Sequence, residues 1–371
     1  MISPIPRIAA LPAITPFVGP EALARQNGVL ESDVLRLGAN ESTFGASPQV
    51  ASAIAAELPR ISFYADPDVW LLRQALAAHC GCTMEQIVVG SGIDDLLGLF
   101  LRAYVGEGGL ALATTGTYPT FFYQAEGYGA RVETVAYAVT RPNLAALSEL
   151  AQKRQPALVY LANPDNPGGG FHGRAALAEF IAALPATTVL LLDEAYAEFA
   201  PAPERLPFLP SPQVIHLRTF SKAYGLAGLR IGYAVADARV IADVEKIRQH
   251  FGVGRLPIVA ALAALRDQEF VEGVLLEVAR GRNKYAQIAS EVGLRSHPSS
   301  TNFVLFDCGS VERAVALVPA LFKLGIFIRK PMVAELAHCV RISVGTAMER
   351  QRLRELLPQA LAACPPLNHA V

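Results

Sequence analysis

The sequence predicts an α/β protein with a large domain built on a mostly parallel central sheet and a smaller α+β C-terminal domain. Three observations carry this reading. From Gln86 to Val235, short and nearly unbroken runs of Val, Leu, Ile and Ala alternate with amphipathic stretches. Such runs are strands buried on both faces, as in a parallel sheet covered by helices. After Tyr285 the order changes to β-α-β-β-α. The 371 residues also exceed the length at which a single core usually keeps growing, so two domains are expected.

In chain order, residues 1–38 read as an N-terminal arm, proline-rich and then amphipathic over Pro20 to Asn27, packing on the small domain or on a partner subunit. Ser47-Pro48 precedes a helix from Gln49 to Leu58; Pro48 is tolerated in a first turn, where its missing N–H would have had no partner. Phe63 to Pro67 is a loop and Leu71 to His79 a helix. Strands are expected at Gln86–Val89, Gly109–Ala113, Arg131–Ala138, Ala157–Ala162, Thr188–Asp193, Val214–Thr219 and Ile231–Val235. The helices between them are Asp94–Val105, Thr120–Tyr128, Leu144–Arg154 and Arg174–Leu184. Asp237 to Gln249 begins the exit from this domain, and Leu256 to Tyr285 reads as a long helical connection. The last five elements are Asn302–Asp307, Val311–Leu324, Gly325–Arg329, Cys339–Val344 and Ala347–Ala363. The large domain is placed at 39–255 and the small one at 256–371.

Composition narrows the function. A net charge of −1 gives no electrostatic reason to expect nucleic acid or an anionic membrane surface. No apolar run approaches a membrane span, and Met1 to Arg7 lacks the basic-then-apolar order of a signal peptide. Five cysteines without metal spacing or a CxxC motif read as reduced thiols in a cytoplasmic protein.

Ligands of open α/β sheets sit at the carboxyl ends of the strands. Lys222 is one of six lysines and follows the run Val214 to Leu217 in a tight turn, with Arg230 eight positions on. Desolvation and a neighbouring cation would make it a reactive amine, although a surface loop lysine explains this stretch alone equally well. Gly90-Ser91-Gly92 joins a strand to a helix and offers backbone N–H groups to an anion, or is simply a tight turn. Asp95 stands where a dinucleotide fingerprint wants its last glycine, which argues against a nicotinamide dehydrogenase. Tyr118 can lie on a planar ligand or in the core. Asn166, between Pro164 and Pro167, presents a rigidly held amide or an ordinary turn. Asp193 ends a buried strand, where a charge needs either a protein arginine or a ligand cation. Pyridoxal phosphate needs this set: an amine for its aldehyde, a carboxylate for its ring nitrogen, and N–H groups with an arginine for its phosphate.

The chain resembles the fold-type I pyridoxal phosphate aminotransferases, and within them the histidinol-phosphate aminotransferase family. The motifs are Ala39-Asn40-Glu41, Asn163-Pro164-Asp165-Asn166-Pro167, Asp193-Glu194-Ala195-Tyr196, Thr219 through Arg230, and Val340-Arg341-Ile342-Ser343-Val344-Gly345-Thr346, within a match from Leu37 to Ala363. The resemblance implies that Lys222 bonds the cofactor aldehyde and shuttles the substrate proton. Asp193 would pair with the ring nitrogen, Asn166 and Tyr196 would bond the ring hydroxyl, and Tyr118 would stack on the ring. Ser91, Gly92, Ser221, Arg230 and Thr219 would hold the phosphate. Tyr64 would reach the phosphate in the other subunit of a homodimer with shared sites. Arg341 would grip a substrate anion, with Asn40, Arg329 and Arg255 as further substrate contacts. The implied partners are a small-molecule amino donor (histidinol phosphate or an aromatic or acidic amino acid) and a 2-oxo acid such as 2-oxoglutarate.

Three departures bear on the substrate. Thr15-Pro16-Phe17 stands where the family usually carries Thr-Pro-Tyr, Gly252-Val253-Gly254-Arg255 replaces Asn-x-Asn-Ser, and Gly168-Gly169 replaces Thr-Gly. Arg255 either selects a different donor or makes a structural ion pair. A decarboxylase of the threonine-phosphate type shares the scaffold, as do non-catalytic ligand sensors, which carry an additional DNA-binding domain.

Overall fold

A computed structural model describes residues 2–11, 18–208 and 211–366; Thr15-Pro16-Phe17 lies outside them. Leu35–Arg36 (β1) ends the N-terminal arm. The central sheet takes Ile87–Gly90 (β2), Leu110–Thr114 (β3) and Arg131–Val135 (β4). A hairpin of Tyr137–Ala138 (β5) and Arg141–Pro142 (β6) stands off it. Leu158–Ala162 (β7), Val189–Asp193 (β8), Val214–Thr219 (β9) and Gly232–Val235 (β10) complete it, in the order β2-β10-β9-β8-β7-β3-β4. Only β10 runs antiparallel to its neighbours.

Alternate residues of each strand serve opposite faces. Tyr160, Leu191, Ile215 and Leu217 pack with Leu96, Phe100 and Phe121 from helices Ile93–Tyr104 and Pro119–Gly127. Val159, Leu161, Leu190 and Leu192 pack with Leu147, Leu177 and Phe180 from helices Leu144–Arg154 and Arg174–Ala182. The inner strands are wholly buried, which is why they read as continuous apolar runs; β4, at the edge, exposes Arg131 and Thr134.

The expected strand Arg131–Ala138 divides at Ala136: Arg131–Val135 stays in the central sheet, while Tyr137–Ala138 turns through Val139 (φ 63°) and pairs with β6 instead. The expected helical connection is two helices, Arg255–Arg266 and Gln268–Glu291. Asp267 separates them and caps the second by accepting from the Phe270 N–H, while its carboxylate also accepts from Ser47 Oγ.

The remaining strands are Arg295–Ser296 (β11), Phe303–Asp307 (β12), Ile326–Phe327 (β13) and Cys339–Ser343 (β14). β11, β12 and β14 form an antiparallel sheet with β12 in the centre. The expected strand Gly325–Arg329 is shorter and has another partner: β13 pairs in parallel with β1, Leu35 opposite Ile326, so the arm is fastened here. One apolar cluster runs from Ile87, Val89 and Tyr233 of the large sheet through Val278 and Tyr285 to Phe303 and Ile342 of the small one. Among the described residues, no helix is long and apolar enough to cross a membrane.

Candidate active site

A cavity of about 770 Å3 opens at the carboxyl ends of β7, β8 and β9. Asn40, Tyr118, Asn166, Asp193, Tyr196, Thr219, Ser221, Lys222, Arg230, Arg329 and Arg341 all line it, drawn from both sheets and the loop after β1.

Asp193 closes β8 and is 5 % exposed. It accepts from Tyr160 Oη at 2.7 Å and from the Ala195 N–H at 3.0 Å, and no described residue offers it a cation. Burial pushes its pKa up to about 6, against the lowering effect of the Tyr160 hydroxyl. Of the two alternatives for a charge at this strand end, the protein arginine is therefore not the one realised.

Lys222 Nζ donates to the Asn40 carbonyl at 3.2 Å and lies 5.6 Å from the Tyr196 ring centre. Asn40 has φ 55° and ties several elements together. Its Nδ2 donates to Tyr196 Oη at 3.0 Å, its N–H donates to Ser343 Oγ at 2.9 Å, and its carbonyl also accepts from Asn302 Nδ2 at 3.0 Å. A non-glycine residue held at positive φ is strained and persists where surrounding bonds over-determine it, as they do here.

Arg341, on β14, is half-buried, with its Nε shut off from solvent. It donates to Asn166 Oδ1 at 2.5 Å and to the Gly38 carbonyl at 3.2 Å, and its guanidinium lies over Phe303. Its Nε has no partner, it meets no carboxylate, and burial lowers its pKa to about 10. Arg329 is joined to Arg341 by a backbone bridge and faces the same cavity.

Arg230 takes a left-handed conformation (φ 48°) that turns its side chain toward the helix beginning at Ile93. It donates to Ser221 Oγ at 3.2 Å and to Asp94 Oδ2 at 3.2 Å. Thr219 Oγ1 in turn donates to Ser221 Oγ at 2.9 Å. Gly92 has φ 83°, and a Cβ there would stand 2.7 Å from Arg230 Nη2, so only glycine leaves this cradle open. Ser91 is less direct: its hydroxyl is turned to the Gly252 carbonyl, and its N–H donates to Asp95 Oδ2 at 2.9 Å. Gly168 lies tight against the Thr140 carbonyl, which would obstruct the Cβ of a threonine.

Four predicted residues do not line this cavity: Ser91 and Gly92, beside Arg230 as described, and Tyr64 and Arg255. Tyr64 is 77 % exposed and packs on Phe251 with ring centres 4.6 Å apart. Arg255 donates to Glu57 Oε1 at 2.5 Å and to the Phe63 carbonyl at 2.9 Å, as a structural ion pair would. Three residues escaped the sequence reading. Asp94 accepts from Tyr118 Oη at 2.9 Å as well as from Arg230. Tyr160 holds Asp193, and Lys330 adds a cation to the cavity wall. Asp94, in the first turn after a glycine-rich turn, was the one with a readable signal.

The residues fit pyridoxal phosphate on three observations of the chain itself: a buried carboxylate awaiting a cation, an amine facing the same cavity, and an arginine–serine cradle kept open by Gly92. Fold and cavity together define a fold-type I pyridoxal phosphate enzyme.

Residues 32–359 match the family model described as aminotransferase class I and II. The histidinol-phosphate aminotransferase of Geobacillus thermodenitrificans is 34% identical over 360 residues, covering 96% of this chain and 97% of the relative. Histidinol-phosphate aminotransferase 1 of Psychrobacter arcticus is 35% identical over 92% of this chain and 90% of its own. The crystal structure of histidinol-phosphate aminotransferase from Sinorhizobium meliloti in complex with pyridoxal-5′-phosphate superposes with a TM-score of 0.93 at 44% identity, covering 96% of this chain and 97% of that one. The chain belongs to the class I and II aminotransferase family and is a pyridoxal phosphate-dependent transaminase.

Proposed function

We propose that this transaminase takes its amino group from histidinol phosphate and passes it to 2-oxoglutarate. The observation that carries the reading is the cluster of Arg329, Lys330 and Arg341 lining one cavity, with Arg341 half-buried, its Nε shut off from solvent, and meeting no carboxylate. A partly desolvated cation without a carboxylate, and with a buried N–H left unpaired, favours a ligand anion that completes it. Three cations suit a phosphate on the donor and the two carboxylates of the acceptor in turn. The names of the similar proteins support the same donor. The cations do not depend on a tyrosine at position 17, so Phe17 is compatible with a phosphorylated donor.

Pyridoxal phosphate, when bound, supplies an aldehyde carbon that condenses with amines and a conjugated ring that accepts the electron pair released at Cα. The protein's part is to position groups and move protons. Asp193 would keep the ring nitrogen protonated; its carboxylate gains a cation at a site where burial alone disfavours the charge. Asn166 and Tyr196 would fix the ring hydroxyl, Tyr118 would cover one ring face, and Ser221, Arg230 and Gly92 would hold the phosphate. Lys222 Nζ would take the proton from the donor's Cα and return one to the neighbouring carbon, with Asn40 setting its direction. Arg341 and Arg329 would orient the donor so that its Cα–H bond, and no other, points at Lys222.

The working molecule in this reading is a homodimer. Ile61, Phe63, Tyr64, Trp70, Leu71 and Phe251 leave a band of large apolar side chains exposed, which supports an interface where Tyr64 enters the partner's site. Residues 39–255 would act as the cofactor domain, 256–371 as the substrate-gripping domain and 1–38 as the arm.

The test is a titration of purified holoenzyme followed by near-visible absorbance. Histidinol phosphate should convert the cofactor band to the amine form, and 2-oxoglutarate should restore it. A band that ignores histidinol phosphate but responds to an aromatic or acidic amino acid would replace the donor and leave the class intact. Carbon dioxide released in place of a keto product would favour the decarboxylase reading.

A further inference from the structure

We propose that the small sheet carries a zinc site made of His297, His338 and Cys339. One ligand atom from each of the three lies within 4.8 Å of the others. His297 directly follows β11, while His338 and Cys339 lie at the start of β14, so the group bridges the two edge strands across central β12.

A second observation points to a ligand. His297 Nε2 is shut off from solvent and has no hydrogen-bond partner. Buried polar atoms are nearly always paired, and an orphan one commonly marks a water or an ion. Cys339 is wholly buried, and Asp307, its register partner on β12, brings a carboxylate oxygen to 3.9 Å from His338 Nε2.

Chemistry selects the metal class. Two imidazoles and a thiol are borderline-soft donors, which suit Zn2+ and not the oxygen-seeking Mg2+ or Ca2+. Asp307 already accepts from Arg295 and from the Gly309 N–H, so water takes the fourth position. Binding forms a zinc–sulfur bond, and the Cys339 thiol gives its proton to bulk water. No oxidant or reductant is required.

The site has a structural consequence. Cys339 lies two residues before Arg341 on the same face of β14, and the His338 carbonyl is held by the Cys308 N–H at 3.0 Å. Zinc would clasp this end of the sheet and stiffen the strand that carries Arg341.

The experiment uses holoenzyme treated with a chelator, equilibrated with zinc chloride and freed of unbound metal. Wild type should retain one zinc per chain by atomic emission, and cobalt substitution should give tetrahedral d–d bands. Changes beyond the ligands alone cost about 10- to 100-fold in affinity, so Cys339→Ser should cost at least about 100-fold. Should Cys339→Ser fail to fold, His338→Asn at a partly exposed position carries the test, with loss of stoichiometric zinc expected. Wild type that takes up no zinc, or a His338→Asn variant that retains it fully with the same cobalt spectrum, would overturn the proposal.

Discussion

Asp193 and Glu194 are adjacent in sequence and opposite in surroundings. Both are carboxylates at the end of one buried strand, 5% and 3% exposed. Glu194 meets Arg218 Nε at 2.9 Å and His216 Nδ1 at 3.0 Å, and Arg218 extends to Glu198 at 3.2 Å. Burial would raise the Glu194 pKa, yet Arg218 and His216 outweigh it and hold the carboxyl below its ordinary value. Asp193 has a tyrosine and a backbone N–H but no cation, and its pKa goes up. The sheet therefore neutralises one charge internally and leaves the other without a cation, as the proposed cofactor role requires. Substitutions on the Glu194 side should cost stability, and those on the Asp193 side should cost activity.

The largest effect is expected from Arg218→Met, which removes the guanidinium that Glu194 and Glu198 share and leaves Glu194 with the His216 ring. Removing one partner from a buried ion pair costs about 3–5 kcal/mol, measurable by urea unfolding. The kcat of the fraction that remains folded should stay unchanged. If activity fell while stability held, the division between the two sides would be wrong.

Asp193→Asn tests the other side. Losing a preorganised charge at the reacting centre costs about 10²- to 10³-fold in kcat. Folded stability near neutral pH should not fall with it, since the variant no longer buries an ionised carboxylate. A variant of normal kcat would remove Asp193 from the cofactor's ring nitrogen.

The pH dependence of stability sharpens the contrast. In cofactor-free protein the Asp193 pKa is about 6, against about 3.9 in an unfolded chain. The folded state keeps a proton that the unfolded state has released. This contribution is therefore present below about pH 4 and is lost as pH rises to about 6, by up to about 3 kcal/mol. Asp165, raised by burial to about 7, adds a slope of the same sign that reaches higher pH. Thermal melts of wild type and Asp193→Asn should therefore diverge between about pH 4 and 6 and run parallel above it. Saturation with pyridoxal phosphate should flatten the wild-type difference, because in the proposed reading Asp193 would then face a cation.

Much of this arrangement was legible because burial on both faces writes strands as continuous apolar runs, and residues after such runs gather at one end of the sheet. What stayed hidden was non-local or disguised. β13 pairs with β1, far away in sequence, and neither two-residue strand has a periodicity of its own. Tyr160 sits inside an apolar strand, where a tyrosine looks like core until its hydroxyl is seen on Asp193. Lys330 differs from a surface lysine only through the cavity beside it. Asp193 and Glu194 read alike as letters; register with β7 and β9 separates them.

Arg255 is the smallest test, and it asks whether a third charged position belongs with stability or with function. In sequence it was as much a substrate selector as an ion-pair partner. The pair with Glu57 and the bond to the Phe63 carbonyl place its charge on the internally satisfied side of the comparison. Arg255→Ala should cost about 1 kcal/mol, with Glu57→Gln costing a similar amount and the double variant less than the sum. The order of preference among amino donors should not move. A changed order would mean that Arg255 also reads a substrate, and in the proposed homodimer the partner subunit's site would be the place to look, beside the exposed Tyr64. An additive double variant would instead show that the ion pair contributes nothing, leaving the Phe63 contact to explain whatever stability is lost.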